Sequence, residues 1–291
     1  MHWGDRRRCK GCQNDRSEKI VMASVAAGIN GQRVPQLQAH TRSRGLPRYL
    51  FIIGAQRSGS TFLAQTLDQH PDVAFAKPLR PEPKYLLRPD LGDGSEDYES
   101  RYFRGVPEHL LRAEKSTSYI EHPSLGHHIA RHFPTARCIA VLRDPVERAV
   151  SNYWFSVQEG YEMRPPEEAL SPVAAAPAPV PGLSASPFAY LTRGRYLDFL
   201  DGWAHALGDS RLLVLQTERI VNDPGALAQM SAFLELEMGR PAGARDAVNA
   251  APRGREIEAS TLNALARYFQ PHNAALAARF PIDLRLWRSP S

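Results

Sequence analysis

The chain of 291 residues is 43% hydrophobic and 23% charged, ordinary proportions for a soluble globular protein with one large α/β domain or two small ones. Lysine and arginine outnumber aspartate and glutamate by 36 to 31, an excess that suits a small anionic ligand but not nucleic acid, which calls for a localised patch. No apolar run approaches the ~20 residues of a membrane span, and Cys9, Cys12 and Cys138 cannot build a disulfide framework, so a reducing, cytoplasmic setting is expected.

Residues 1–47 are polar, glycine-bearing and aperiodic, and read as a disordered basic arm. Its start, MHWGDRRRCKGCQNDRSEK, has no apolar core of a secretory signal. Met22 offers an internal start, and Cys9 and Cys12 form a CxxC that would be half a zinc site, with no second pair beside it. From residue 48 to 291 the pattern is that of a single domain. An apolar strand is predicted at 49–53, a helix at 60–69 stopped by His70-Pro71, and a short strand at 73–75. A further strand falls within 108–114, a helix over 124–133 and a strand over 137–142. Asp144 then caps a helix running to about residue 159, with Pro145 in its first turn and Glu147 placed to close a capping box.

The stretch 164–187, RPPEEALSPVAAAPAPVPGLSASP, is so rich in proline, alanine and serine that no packed element is expected, only a mobile surface insertion. Tyr196, Phe199, Leu200, Trp203 and Leu207 recur at helical spacing and read as core. A strand over 211–215, a helix opened by Asn222-Asp223-Pro224, and an amphipathic helix through Leu262, Leu265, Ala266 and Phe269 complete the order. Strands alternating with helices predict a P-loop-like three-layer α/β/α fold with a mostly parallel central sheet. His128 and His132, four apart in HHIARH, lack a third ligand and read as a solvated helix face.

Two segments carry chemistry. In FIIGAQRSGSTFLAQTLDQHP, a strand runs into Gly54, four residues (Ala55, Gln56, Arg57 and Ser58), then Gly59, Ser60 and Thr61. This is the layout of a phosphate loop, but Ser60 stands where the Walker pattern requires lysine, and the loop's cation is Arg57. Backbone N–H groups of such a loop and the following helix start aim positive charge at one spot, and the glycines allow close approach. The second segment is VLRDPVERAVSNYW, in which Arg143 follows a strand end, where open α/β sheets bind ligands, and Ser151 lies two turns into the next helix. An arginine where an ATPase would hold magnesium points to a second phosphate rather than a metal.

Together the two segments resemble the PAPS-dependent sulfotransferases, in particular the bacterial branch related to heparan sulfate sulfotransferases. GAQRSGST resembles that family's 5′-phosphosulfate loop, and VLRDPVERAVSNYW its 3′-phosphate motif, whose arginine and serine fall on Arg143 and Ser151. RPEPKYLL resembles the segment carrying the family's catalytic glutamate, here Glu82, and EKSTSY the segment that implies Lys115 near the sulfate and acceptor. PRGRE resembles the loop that closes on the cofactor, implying Arg253, Gly254 and Arg255. The resemblance covers about residues 48–287.

It implies sulfuryl transfer from PAPS to a glycan or small-molecule acceptor, with PAP as product, no metal and no nucleic-acid partner. It also explains the missing lysine, since PAPS has no β- and γ-phosphates for it to reach; Arg57 takes the mid-loop place the family usually gives to lysine. Lys84-Tyr85 replace the usual His-Phe, and the turn at Ser116 lacks the family's proline. A P-loop kinase and a non-catalytic PAP-binding module are the rival readings.

Overall fold

The stretch YLFIIG is apolar without alternation, which a strand tolerates only when both its faces are covered. It forms β1 (Tyr49–Gly54), buried at all six positions. The computed structural model describes residues 48–89, 91, 95–173, 175, 177–178, 180–220, 223–238 and 256–287. The expected N-terminal arm, the Cys9–Cys12 pair and the segment 253–255 lie outside the described residues.

In chain order, β1 is followed by α1 (Ser60–Asp68), β2 (Val73–Phe75), α2 (Glu96–Tyr102), β3 (Leu111–Lys115), α3 (Ser124–His132) and β4 (Arg137–Leu142). Then come α4 (Pro145–Gln158), α5 (Pro166–Ala169), α6 (Leu197–Leu207), β5 (Leu212–Gln216), α7 (Thr217–Ile220), α8 (Pro224–Leu234) and α9 (Ala259–Arg279). The five strands form one sheet in the order β2-β3-β1-β4-β5, and every pairing is parallel. One face of β1 (Tyr49, Phe51, Ile53) packs on Ile129 of α3 and Leu200 and Trp203 of α6. The other (Leu50, Ile52) packs on Leu63 and Leu67 of α1 and Met230 and Leu234 of α8. These are the three layers the alternating pattern predicts, with β1 at the centre. A third cluster, built on Val146, Tyr153, Leu265 and Phe269, joins α4 to α9.

Two expectations need correction. The insertion 164–187 contains α5, whose Ala169 is buried together with the following Leu170 against α4. Proline at the first helical position starts a helix rather than forbidding one, and Leu170 found an apolar surface to cover it. The ends of the insertion are also tied down: Tyr153 Oη donates to the Arg164 carbonyl at 2.9 Å, and Ser156 Oγ to that of Pro187 at 2.8 Å. At the start of α4, Asp144 caps as expected, accepting from the Val146 N–H at 2.9 Å. Glu147, however, holds Arg143 at 2.6 Å, and the Asp144 N–H donates to Glu218 Oε1 at 3.4 Å. A guanidinium one turn back is a stronger partner for a carboxylate than a neutral amide.

Candidate active site

All strands are parallel, so their C-terminal ends meet along one edge, and the loops that leave them share that edge. The loop after β1 is built for close approach. Gly59 sits at φ +78°, a left-handed conformation, and caps α1 with no side-chain hydrogen bond to the helix's first amides. A Cβ on Gly54 would lie 2.7 Å from the Ile120 side chain. Thr217, just past β5, braces the loop: its Oγ1 lies 2.6 Å from the Ser58 carbonyl and 2.9 Å from that of Leu142. The Ala55 N–H donates to Val141 at 2.7 Å. Ser58 and Ser60 are buried within the loop.

Arg57, in the left-handed region at φ 66°, reaches across to α4. Its Nε donates to Ser151 Oγ at 3.0 Å, and its guanidinium carbon stands 5.0 Å from the centre of the Phe155 ring. Burial, then the neighbouring charges of Arg143 and Arg80, hold the Arg57 guanidinium below its ordinary value. Arg80 in turn stands 3.5 Å from Thr61 Oγ1 at the start of α1. The two phosphate-loop segments of the sequence are thus joined side chain to side chain, with three arginines crowded near them.

The loop after β2 and the end of β3 form the second half. Glu82 Oε1 accepts from Lys115 Nζ at 2.6 Å, and Glu82 Oε2 from the Thr117 N–H at 2.9 Å. Thr117 Oγ1 lies 3.0 and 3.1 Å from the two carboxylate oxygens. Beneath them Glu114, with no exposed surface, accepts from Ser116 Oγ at 2.6 Å and Tyr119 Oη at 2.5 Å. Its carboxyl is raised above the ordinary value by burial, against those hydrogen bonds. Lys84 links this half to the insertion, its N–H donating to a Ser116 Oγ lone pair at 2.9 Å and its Nζ to Ser184 Oγ at 2.7 Å.

Of the residues singled out in the sequence, Arg57 and Ser151 are brought into contact, as are Glu82 and Lys115; Arg143 is turned to Glu147. Three residues were not foreseen. Arg193 is buried and ties Glu121 (2.7 Å), Gln56 of the loop and Asn152 of α4 together. Arg80 lies in a proline-flanked loop where a charge normally reads as solvated. Thr117 lies in the hydroxyl-rich turn that the sequence marks only as a turn. His128 and His132 stack with rings 4.4 Å apart, and among the described residues no group of three His, Cys, Asp or Glu could hold a metal. No described helix is long and apolar enough to cross a membrane.

A family model described as Sulfotransferase family matches residues 47–118. The membrane-associated sulfotransferase kil1 of Dictyostelium discoideum is 30% identical over 115 residues, 39% of this chain and 24% of that protein. Heparan sulfate glucosamine 3-O-sulfotransferase 6 of Mus musculus is 26% identical over 223 residues, 73% of this chain. The chain spans about a quarter of the length of the first and 56% of the second. In fold it is similar to a sulfotransferase of Alicyclobacillus acidocaldarius, with a TM-score of 0.65 and 23% identity over 84% of this chain and 99% of that one.

Proposed function

We propose that this chain, which belongs to the sulfotransferase family, moves a sulfuryl group from PAPS to a hydroxyl or amine of a glycan or small-molecule acceptor. One observation carries the reading: the Arg57–Ser151 hydrogen bond of 3.0 Å joins the two anion-facing segments at the sheet edge where the end of β3 also meets Glu82. PAPS when bound supplies the sulfuryl group and leaves as PAP. The loop residues Gly54 to Thr61, with their amides and Arg57, hold its 5′ end. Arg143 exchanges Glu147 for the 3′-phosphate and shares it with Ser151, and the resemblance assigns Arg253, Gly254 and Arg255 to the same nucleotide.

Glu82 accepts the proton of the acceptor hydroxyl, and Lys115, 2.6 Å from Oε1, holds that carboxylate in place. Charge developing on the leaving oxygen is met by fixed donors, which need no reorganisation during the reaction. Arginine stabilises that charge without giving up a proton, so charge neutralisation is assigned to arginines and backbone amides rather than to a metal. Residues 48–291 act as one catalytic domain with no nucleic-acid partner, and cysteine usage assigns it to the cytoplasm.

The deciding variant is Glu82→Gln. Loss of a general base lowers turnover by roughly 10²–10⁴-fold, while PAP affinity by calorimetry stays at the wild-type value. Retention of most turnover with normal PAP binding sinks the assignment. A thermal-shift comparison separates the kinase alternative: metal-free PAP raises the unfolding temperature, and ATP with magnesium does not.

A further inference from the structure

Glu82 belongs to no helix or strand, yet its carboxylate is fixed from three directions. Lys115 Nζ stands 2.6 Å from Oε1, the Thr117 N–H 2.9 Å from Oε2, and the Thr117 hydroxyl 3.0 and 3.1 Å from the pair. Two of those three donors come from one residue. Thr117 and Lys115 are sealed, at 7% and 3% exposure, whereas the Glu82 side chain keeps 16% of its surface open. A carboxylate offers about four acceptor positions, so three protein donors leave room for about one more, on the open side.

Thr117 is itself rigid. It sits in a turn closed by the Tyr119 N–H on the Ser116 carbonyl at 3.0 Å, and the Ser116 N–H donates to Ile52 of β1 at 3.1 Å. The residue before it is thus anchored to the central sheet, and the branched Thr117 side chain has few rotamers. Lys115 contributes a charge on a flexible stem, which attracts without aiming.

We propose that Thr117 is a positioning residue: its amide and hydroxyl turn the Glu82 carboxylate so that the open acceptor position faces the group to be sulfated. The inference rests on the role given to Glu82 above. In the step served, the acceptor oxygen loses its proton to Glu82 and bonds to sulfur, and the sulfur–oxygen bond to the 5′-phosphate breaks with its electron pair leaving on PAP.

The test follows breakdown of radiolabelled PAPS, with water, p-nitrophenol and N-acetylheparosan oligosaccharides offered as acceptors. Wild type is compared with Thr117→Val, Thr117→Ala, Thr117→Ser, Glu82→Gln and the Thr117→Val/Glu82→Gln double variant. PAP affinity is measured for each by calorimetry. A hydrogen bond to a charged group is at stake, so valine and alanine are expected to slow turnover by roughly 10-fold or more with PAP affinity unchanged. Serine restores the rate, and valine adds little on the Glu82→Gln background, because the two residues act through one group. Wild-type turnover in the valine or alanine variant overturns the proposal. So does a serine variant as slow as valine, a parallel loss of PAP affinity, or an equal effect of valine on both backgrounds. A Glu82→Gln protein that keeps full turnover overturns instead the base assignment beneath it.

Discussion

Arg57 Nε donates to Ser151 Oγ at 3.0 Å, joining a loop and a helix 94 residues apart. The pairing makes Arg57 more than a loop cation: it belongs to both anion-facing segments. With Arg143 and Arg80 also pressing on its charge, the protein holds like charges together that an anion would relieve.

Arg57→Ala should therefore weaken PAP binding sharply. A charge-assisted hydrogen bond contributes about 1.5–3 kcal/mol, or roughly 10- to 150-fold in affinity. Calorimetry at two salt concentrations checks this, with the wild type losing more affinity to salt than the variant. Equal affinity of the two proteins at low salt contradicts it.

Gly59→Ala should destabilise the fold as well as the site. The position stands at φ +78°, and a Cβ there would lie 3.1 Å from Thr217 Cγ2, the residue that braces the loop. Left-handed backbone costs a residue with a Cβ about 1–2 kcal/mol, to be read as a lowered urea midpoint. An unchanged midpoint means that the loop does not hold this conformation.

Glu114 sets a pH dependence of stability. Burial raises its folded value above the ordinary 4.5, so the folded chain binds the proton more tightly than the unfolded chain. The stabilisation is complete below about pH 4.5 and is lost as pH rises through the folded value. Glu114→Gln keeps an oxygen for Ser116 and Tyr119 and removes the titration. Urea unfolding from about pH 4.5 up to about pH 8 should show a shallower decline in the variant, and matching slopes refute the assignment.

Arg148 is the reverse case. It has no exposed surface, its Nη2 donates to the Tyr190 carbonyl, and its Nε and Nη1 have no hydrogen-bond partner among the described residues. Burial draws its guanidinium down to about 10. A buried charge without full pairing is costly, and an apolar side chain of similar volume is often neutral or better. Arg148→Met should unfold at an equal or higher urea concentration, and a loss above about 1 kcal/mol contradicts this account.

Much of the fold was legible because the strands are buried on both faces and the helices open on readable signals. YLFIIG and RCIAVL have no alternation to misread, and Asp144-Pro145 and Asp223-Pro224 mark helix starts by local chemistry. The insertion was misjudged for a physical reason: its composition states what the segment lacks, whereas Leu170 is decided by the surface of α4 that it meets.

In the site, Arg57 stands out by its place in the glycine loop, while Glu82, Lys115 and Ser151 are marked by the family resemblance of their segments. Arg193, Arg80 and Thr117 do not stand out, since a loop arginine or a turn threonine reads as solvated until a partner is known. Thr117 stands where the resembled family has proline, and only a residue with an N–H and a hydroxyl can make the contacts seen with Glu82.

By itself the sequence determined the order of strands and helices, the glycine loop and the types of charge offered at the strand ends. These depend on interactions within a few residues: side-chain period, capping and backbone freedom. Tertiary structure alone decided which distant groups meet: Arg57 with Ser151, and Glu82 with both Lys115 and Thr117. A hydrogen bond requires atoms within about 3 Å and in line, and only the parallel sheet brings residues 33 to 94 positions apart to that distance.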